Sequence, residues 1–265
     1  MLIIKRKGIK KQMKKKLIYS ILIFLLIIVL VSLITLGIKY FNNKNNNQGD
    51  NMKEIILHGH ATIQINEVEN LGEEQNEKII YIDPFELKEG LDKADVIFMT
   101  HGHHDHCSIK DAAKISKPNT IVVATADCME SLEQLDIKEK LIVEPNKEYE
   151  VSGIKFETVP AYNTNKQFHP KTNNWVGFII TLNNKRYYHA GDTDKIPEMS
   201  SLKEIDVAFM PVGGTYTMTA EEAALATNMF NPKKAIPMHY GSVVGTKEDA
   251  ETFKDKCDCE AEILY

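Results

Sequence analysis

Four histidines and an aspartate fall within six residues, His101-Gly102-His103-His104-Asp105-His106. One residue separates His101 from His103, so in an extended loop both imidazoles leave the chain on the same side. Asp105 and His106 follow at once, adding a hard carboxylate oxygen and another ring nitrogen. Such a set suits zinc, and manganese or iron would also accept it. A divalent ion held this way lowers the pKa of bound water and polarises a carbonyl or phosphoryl oxygen. The chemistry indicated is therefore hydrolysis without a serine or cysteine nucleophile. Cys107 adjoins the cluster but fits the start of a helix better than a nucleophile. A merely solvated histidine loop is the weaker reading, because these groups adjoin a hydrophobic strand, Asp95 to Thr100, where unpaired polar groups are costly.

Three further positions could join the cluster. Asp192 follows the apolar stretch Tyr187 to Ala190, and Gly191 lets the backbone come close to whatever the carboxylate binds. His239 ends the apolar run Ala235 to Met238. Alone, the first would read as a turn and the second as a structural histidine; beside the cluster both become metal-ligand candidates. His60, in His58-Gly59-His60-Ala61, is either a catalytic, substrate-facing group or a structural hydrogen bonder. His189 lies three residues before Asp192 and can face the same layer, where groups that orient ligands are expected.

His101-x-His103-x-Asp105-His106 after a hydrophobic strand resembles the signature of the metallo-β-lactamase superfamily. Ile80-Tyr81-Ile82-Asp83-Pro84, Ala190-Gly191-Asp192-Thr193 and Pro237-Met238-His239-Tyr240-Gly241 resemble its other motifs, so the likeness spans about residues 54 to 245. It is closest to the branch of L-ascorbate 6-phosphate lactonase, related uncharacterised metal-dependent hydrolases and the N-acyl phosphatidylethanolamine phospholipase D type. The resemblance implies an α/β fold, an αββα sandwich, with two divalent metal ions, zinc before manganese or iron, held by loops along one edge of the sheets. It makes His101 and His103 ligands of the first metal and Asp105, His106 and His239 ligands of the second, with Asp192 bridging. Asp105 and His60 are the expected catalytic residues, and a metal-held hydroxide is expected to attack an ester, lactone, amide or phosphodiester. Histidine at 103, where oxygen-reducing di-iron relatives carry glutamate, favours hydrolysis over redox work. One position departs from the pattern. The family supplies another histidine from a strand end here written Ala161-Tyr162-Asn163, and Asn163 stands in its place. Either His169, six residues on, folds back to complete the first metal, or Asn163 or water serves there.

These residues need elements to carry them. Short apolar runs rich in Ile, Val, Phe and Tyr predict strands over 54–57, 61–65, 79–82, 96–99, 120–124, 154–159, 176–182, 186–188, 207–210 and 235–237. Helices are predicted after Ser108, after Thr246, and after Thr219, where Thr219-Ala220-Glu221-Glu222 matches a capping box. Ala223, Ala224, Leu225, Ala226 and Met229 would form the last helix's apolar face. Strands and helices mixed in both halves predict sheet layers covered by helices.

Outside this domain the chain reads differently. Residues 17–38 hold no charge, and 22 residues of helix would be about 33 Å long, enough for a hydrocarbon core. They predict an N-terminal transmembrane helix, preceded by a basic cytoplasmic segment (1–16) and followed by a flexible Asn-rich linker (39–51) and a hydrolase domain (52–265). The lysine excess before the span places the amino end inside and the domain outside the cytoplasm. All 37 acidic residues follow position 49, against 23 of the 32 basic ones beyond position 41, a net of −14 for that portion. That balance makes nucleic acid an unlikely partner. The expected partners are the membrane, through the first helix, and a small-molecule or lipid-like substrate. A phosphodiesterase or nuclease of the same fold, and a non-catalytic membrane-tethered metal-binding protein, are the alternatives. The cysteines, Cys107, Cys128, Cys257 and Cys259, predict no disulfide framework.

Overall fold

Most strand stretches in this chain are apolar on both faces, so each sheet needs a cover on both sides. A computed structural model describes residue 32, residues 55–71 and residues 74–264. The chain divides into two units, Met1–Met52 and Lys53–Tyr265, and the architecture below is that of the second.

Among the described residues, β1 (Ile55–Gly59), β2 (Thr62–Leu71), β3 (Glu74–Ile82), β4 (Val96–Met99), β5 (Ile121–Ala124) and β6 (Glu139–Ile142) form one sheet in sequence order. Helix α1 (Ile109–Ile115) connects β4 to β5, and the single turn α2 (Met129–Leu132) lies between β5 and β6. The second sheet runs β7 (Glu148–Val151), β8 (Ile154–Pro160), β9 (Val176–Leu182), β10 (Lys185–His189), β11 (Val207–Pro211), β12 (Lys234–Met238) and β13 (Glu260–Ala261). Helix α3 (Ala220–Phe230) precedes β12 and α4 (Lys247–Lys256) follows it. Each sheet opens with antiparallel pairs and ends in parallel ones, from β3 onward in the first and from β10 onward in the second.

The period of two along a strand sorts the side chains into layers. Ile80, Ile82, Val96 and Phe98 of the first sheet meet Phe156, Phe178, Ile180, Tyr187 and Phe209 of the second in a shared core. Phe98, Phe156 and Phe178 pack edge to face there, with centroids 5.0–6.1 Å apart, each pair worth about 0.5–1.5 kcal/mol beyond its area. The alternate residues Tyr81, Ile97, Met99, Val122 and Ala124 face outward onto Ala112, Ile115 and Leu132. On the other side Ile179, Tyr188, Ala208 and Met210 face Ala223, Ala226 and Phe253 of α3 and α4. The result is the helix–sheet–sheet–helix sandwich expected from the motifs.

Helix starts follow their capping residues. Ser108 Oγ accepts the Asp111 amide, and Thr219 and Thr246 both close full capping boxes, each cap worth about 1 kcal/mol. The expected inner face of α3 is narrower than its apolar pattern. Ala223, Ala224 and Ala226 are buried, but Leu225 is 56% and Met229 38% exposed. Small side chains take the sheet-facing stripe and bring the helix close, leaving the larger ones on its rim.

The N-terminal membrane-spanning helix, and the single-pass membrane location derived from it, are corrected here. Among the described residues no helix is long and apolar enough to cross a membrane. The longest described helix, α3, has 11 residues, about 17 Å of helix against a hydrocarbon core of about 30 Å. The span expected over 17–38 lies, Ser32 apart, outside the described residues. The orientation of the domain relative to a membrane falls with it.

Candidate metal centre

The loop carrying the histidine cluster begins where β4 ends. All four residues of β4 are buried, and the strand lies between β3 and β5 in parallel ladders. Its carboxyl end is where open α/β sheets present ligand-binding loops. Side chains from both sheets converge there. His60 comes from the β1–β2 turn, His101, His103, Asp105 and His106 from the loop after β4, His169 from the β8–β9 loop, Asp192 from the segment after β10, and His239 from the end of β12. Every residue expected at the site is therefore in one place.

Three ring nitrogens point at one carboxylate. The Nε2 atoms of His169 and His239 lie 3.2 and 3.1 Å from Asp192 Oδ2, and His106 Nε2 lies 3.3 Å from Oδ1. None of these three nitrogens makes a hydrogen bond, although all are buried, and Asp192 Oδ1 is likewise without one. Buried polar atoms without hydrogen bonds are rare and call for an explanation. Two ligand-like groups result: His101, His103 and His169 on one side, and His60, Asp105, His106 and His239 on the other, with Asp192 grouped with His101 and His106 between them. Within the first, His101 Nε2 is 3.1 Å from His103 Nδ1. In the second, His60 Nε2 donates to Asp105 Oδ2 at 3.1 Å.

The opposite nitrogens of His101, His106 and His169 are held by hydrogen bonds that set the tautomers, whereas His239 Nδ1 has no such partner. Asp83 Oδ2 accepts from His106 Nδ1 at 2.8 Å and from Thr100 Oγ1 at 2.7 Å. Because the Thr100 hydroxyl spends its proton on Asp83, its oxygen accepts from His101 Nδ1, 3.0 Å away. Asp83 thus turns the Nε2 lone pairs of both His101 and His106 into the site. Asn163 does the same for His169, its Oδ1 accepting the His169 amide at 3.0 Å and Nδ1 at 3.1 Å. The residue standing where the family pattern has a histidine therefore orients His169, the histidine expected as its alternative.

The site includes strained backbone. His60 and His239 both adopt positive φ, 49° and 61°, an uncommon state for a side-chain-bearing residue, costing about 1–3 kcal/mol. They clasp each other, the His239 amide donating to His60 O at 2.6 Å and the rings meeting at a tilt of 44° with centroids 3.9 Å apart. Gly191 has φ +64°, and an added Cβ would meet Val176 O at 2.9 Å. Its need for glycine comes from this packing against β9, not from closeness to a ligand.

Electrostatics favour a cation. Burial alone would depress the His106 imidazole, but the Asp192 and Asp83 carboxylates outweigh it and hold it well above the ordinary histidine range. Burial would raise Asp192, yet His106 and His239 hold it well below the usual carboxylate range. Burial pushes His101 well below its ordinary value, helped by His106. Negative potential that favours a proton on His106 favours a metal ion there equally.

Other histidines separate from the site. The His104 side chain is 82% exposed. His189 donates from Nε2 to Ala61 O at 2.9 Å and accepts the Gly191 amide at 3.2 Å, so it joins the two sheets instead of facing a ligand. The expectation that the cysteines form no disulfide matches four free cysteines, Cys107 and Cys128 buried and Cys257 and Cys259 half-buried. Sequence reasoning missed the wall formed by Trp175, whose ring lies 4.7, 4.8 and 5.5 Å from those of His101, His103 and His169. Trp175 Nε1 donates to Asp127 Oδ2 at 2.7 Å, and the Gly102 amide donates to the same oxygen at 2.9 Å. Asp127 thereby ties the metal-loop backbone to the aromatic wall.

Comparison with known proteins agrees with this geometry. The family profile of the beta-lactamase superfamily domain matches residues 72–240. A UPF0173 metal-dependent hydrolase of Thermoplasma acidophilum is 34% identical over 216 residues, covering 77% of this chain and 90% of its own length. Another, from Thermococcus onnurineus, is 33% identical, covering 80% of this chain and 96% of its own. A crystal structure from Parabacteroides distasonis superposes with a TM-score of 0.68 at 32% identity, covering 79% of this chain and 91% of that one.

Proposed function

The chain belongs to the UPF0173 metal-dependent hydrolases of the metallo-β-lactamase superfamily, and from that membership we propose a two-metal centre, with zinc the expected ion, that hydrolyses a small substrate. The observation that supports it is the convergence of the unbonded Nε2 atoms of His106, His169 and His239 on Asp192 at 3.1–3.3 Å. The Nδ1 atoms of His106 and His169 face Asp83 and Asn163, so as neutral rings that donate there both turn lone pairs, not N–H groups, toward Asp192, an arrangement that a cation would satisfy. On this reading His101, His103 and His169 hold the first ion, Asp105, His106 and His239 the second, and Asp192 lies between them.

When bound, the ions supply Lewis acidity that activates water at neutral pH and stabilises the developing oxyanion. The protein's share is orientation and exclusion. Asp83 and Asn163 fix three of the rings from outside. Asp105 faces the adjoining cavity, and its carboxylate stays ionised because the His60 hydrogen bond and His106 overcome the effect of burial. His60 holds one Asp105 oxygen in place and leaves the other to orient the attacking water. Trp175, 7% exposed, closes the side of the first group against solvent.

The test joins metal content to turnover. Purified protein should carry two equivalents of divalent metal and hydrolyse simple activated esters, lactones or phosphodiesters; chelation should abolish both. Asp192→Ala should lose turnover and at least one equivalent. Full turnover by the metal-free protein, or by Asp192→Ala, would overturn the proposal.

A further inference from the structure

A cavity of about 250 Å³ opens beside the histidines, just below the usual size of ligand pockets, about 300–1,000 Å³. Its floor is the polar group His103, Asp105, His169 and Asp192, and its wall is Phe168, Tyr216 and Val243. Metal chemistry needs none of those three wall residues. Phe168 is 48% and Val243 41% exposed, and large apolar side chains gathered at the mouth of a polar site mark contact with a ligand.

The wall is built into the site. Phe168 precedes His169 in the chain and meets Tyr216 edge to face, centroids 4.7 Å apart. The Tyr216 carbonyl accepts from Asn163 Nδ2 at 3.0 Å, and the other end of that amide holds His169. Charge is the second argument. Among the described residues, no lysine or arginine lines the cavity. The lysines flanking Phe168 are engaged elsewhere, Lys166 with Asp194 at 2.7 Å and Lys171 with Glu198 at 3.0 Å. Sites that grip phosphate groups present arginine or lysine to them.

Resting on the hydrolase reading above, we propose that this cavity is the subsite for the apolar group of a small uncharged ester, lactone or amide. The apolar group lies on Phe168, Tyr216 and Val243, and the carbonyl lies over the histidine–aspartate floor. Water adds to the carbonyl carbon, the bond from that carbon to the leaving oxygen or nitrogen breaks, and a proton from the water leaves with that group. Phosphodiesters, which the fold alone would allow, are poor substrates on this account.

Two series on the metal-loaded full chain test it: hydrolysis of p-nitrophenyl acetate, butyrate and hexanoate beside bis(p-nitrophenyl) phosphate, and calorimetric binding of the matching alkyl hydroxamates. Each methylene that enters an apolar wall should improve kcat/KM and affinity about fourfold, so acetyl to butyryl should gain roughly tenfold or more. In Phe168→Ala that gain should fall below about threefold, with metal content and Tm unchanged, and Phe168→Leu should restore most of it. A flat chain-length series, an unchanged gain in Phe168→Ala, or preference for the phosphodiester would overturn the subsite while leaving the metal hydrolase intact. Absence of both metal uptake and turnover would overturn the hydrolase reading, and the subsite with it.

Discussion

Replacing Asp83 by asparagine should weaken metal binding at both groups, although Asp83 itself belongs to neither. The side chain is fully buried and keeps a positive φ of 49°, which asparagine tolerates as well as aspartate. The amide oxygen can still accept the Thr100 amide, now 2.8 Å from Asp83 Oδ1. The amide nitrogen must then stand where Oδ2 stands, facing His106 Nδ1 and Thr100 Oγ1. There it donates where the carboxylate accepted. His106 would carry its proton on Nε2, and Thr100, freed to donate, would push His101 to the same tautomer. Each ring would turn an N–H into the site where it now turns a lone pair. Loss of such an outer partner typically costs 10–100-fold in metal affinity, about 1.4–2.7 kcal/mol per ion. Zinc competition against a chromophoric chelator would measure both steps, with the Tm of the metal-free protein as a control for folding. Thr100→Val separates the two arms, since it breaks only the relay to His101 and should weaken only the first group. Two equivalents bound by Asp83→Asn with undiminished affinity would refute the tautomer argument.

The single tryptophan of the chain should report on metal directly. Trp175 touches three histidines of the first group, so cobalt(II) should quench most of its fluorescence and a chelator should restore it; emission indifferent to cobalt would place the ion elsewhere. Asn163→Ala leaves the His169 amide, the Tyr216 carbonyl and a lobe of Asp194 without their partner. It should destabilise the fold by about 2–4 kcal/mol and release the first metal before the second, read from denaturant midpoints and metal titration. Asp111 receives the Glu86 and Leu87 amides, Ser108 and Lys114. Burial would raise its carboxyl, but the Ser108 and Lys114 bonds outweigh that and lower it. A lowered folded value contributes stability that is fully present above the ordinary carboxylate range and lost as pH falls from there through the lowered folded value. Asp111→Asn should therefore be less stable at neutral pH and lose less stability than wild type between about pH 5 and pH 2, measured by urea unfolding.

How far the sequence reveals this molecule depends on the distance over which each signal acts. The buried strands were legible because β4, β5 and β9 are continuous apolar runs, and the three helix starts because their caps are local. Strands β6 and β7, Glu-Lys-Leu-Ile and Glu-Tyr-Glu-Val, were missed. They are short, only half exposed in each case but charged, each at the edge of its sheet, and resemble loops one residue at a time. At the site, the histidine cluster announces itself by spacing. His169 was one of two readings because only the folded loop shows that Asn163 and His169 bond each other. Asp83 was seen as part of a strand motif, yet its role depends on Thr100 and His106, 17 and 23 residues away. Asp127 and Trp175, 48 residues apart, carry no spacing that could have joined them.

The sequential order of the two sheets has a consequence for assembly. Every described strand of the first sheet comes from residues 55–142 and every one of the second from 148–261, so this domain is two successive halves pressed face to face. The leading half brings His60, His101, His103, Asp105 and His106, the trailing half His169, Asp192 and His239, so neither half holds any of the ligand-like groups complete. Cation affinity is thus a readout of whether the halves have docked in register. A chain divided between Val143 and Lys147 and produced as two fragments should bind zinc tightly only on recombination, which makes the metal a proofreader of the fold it completes.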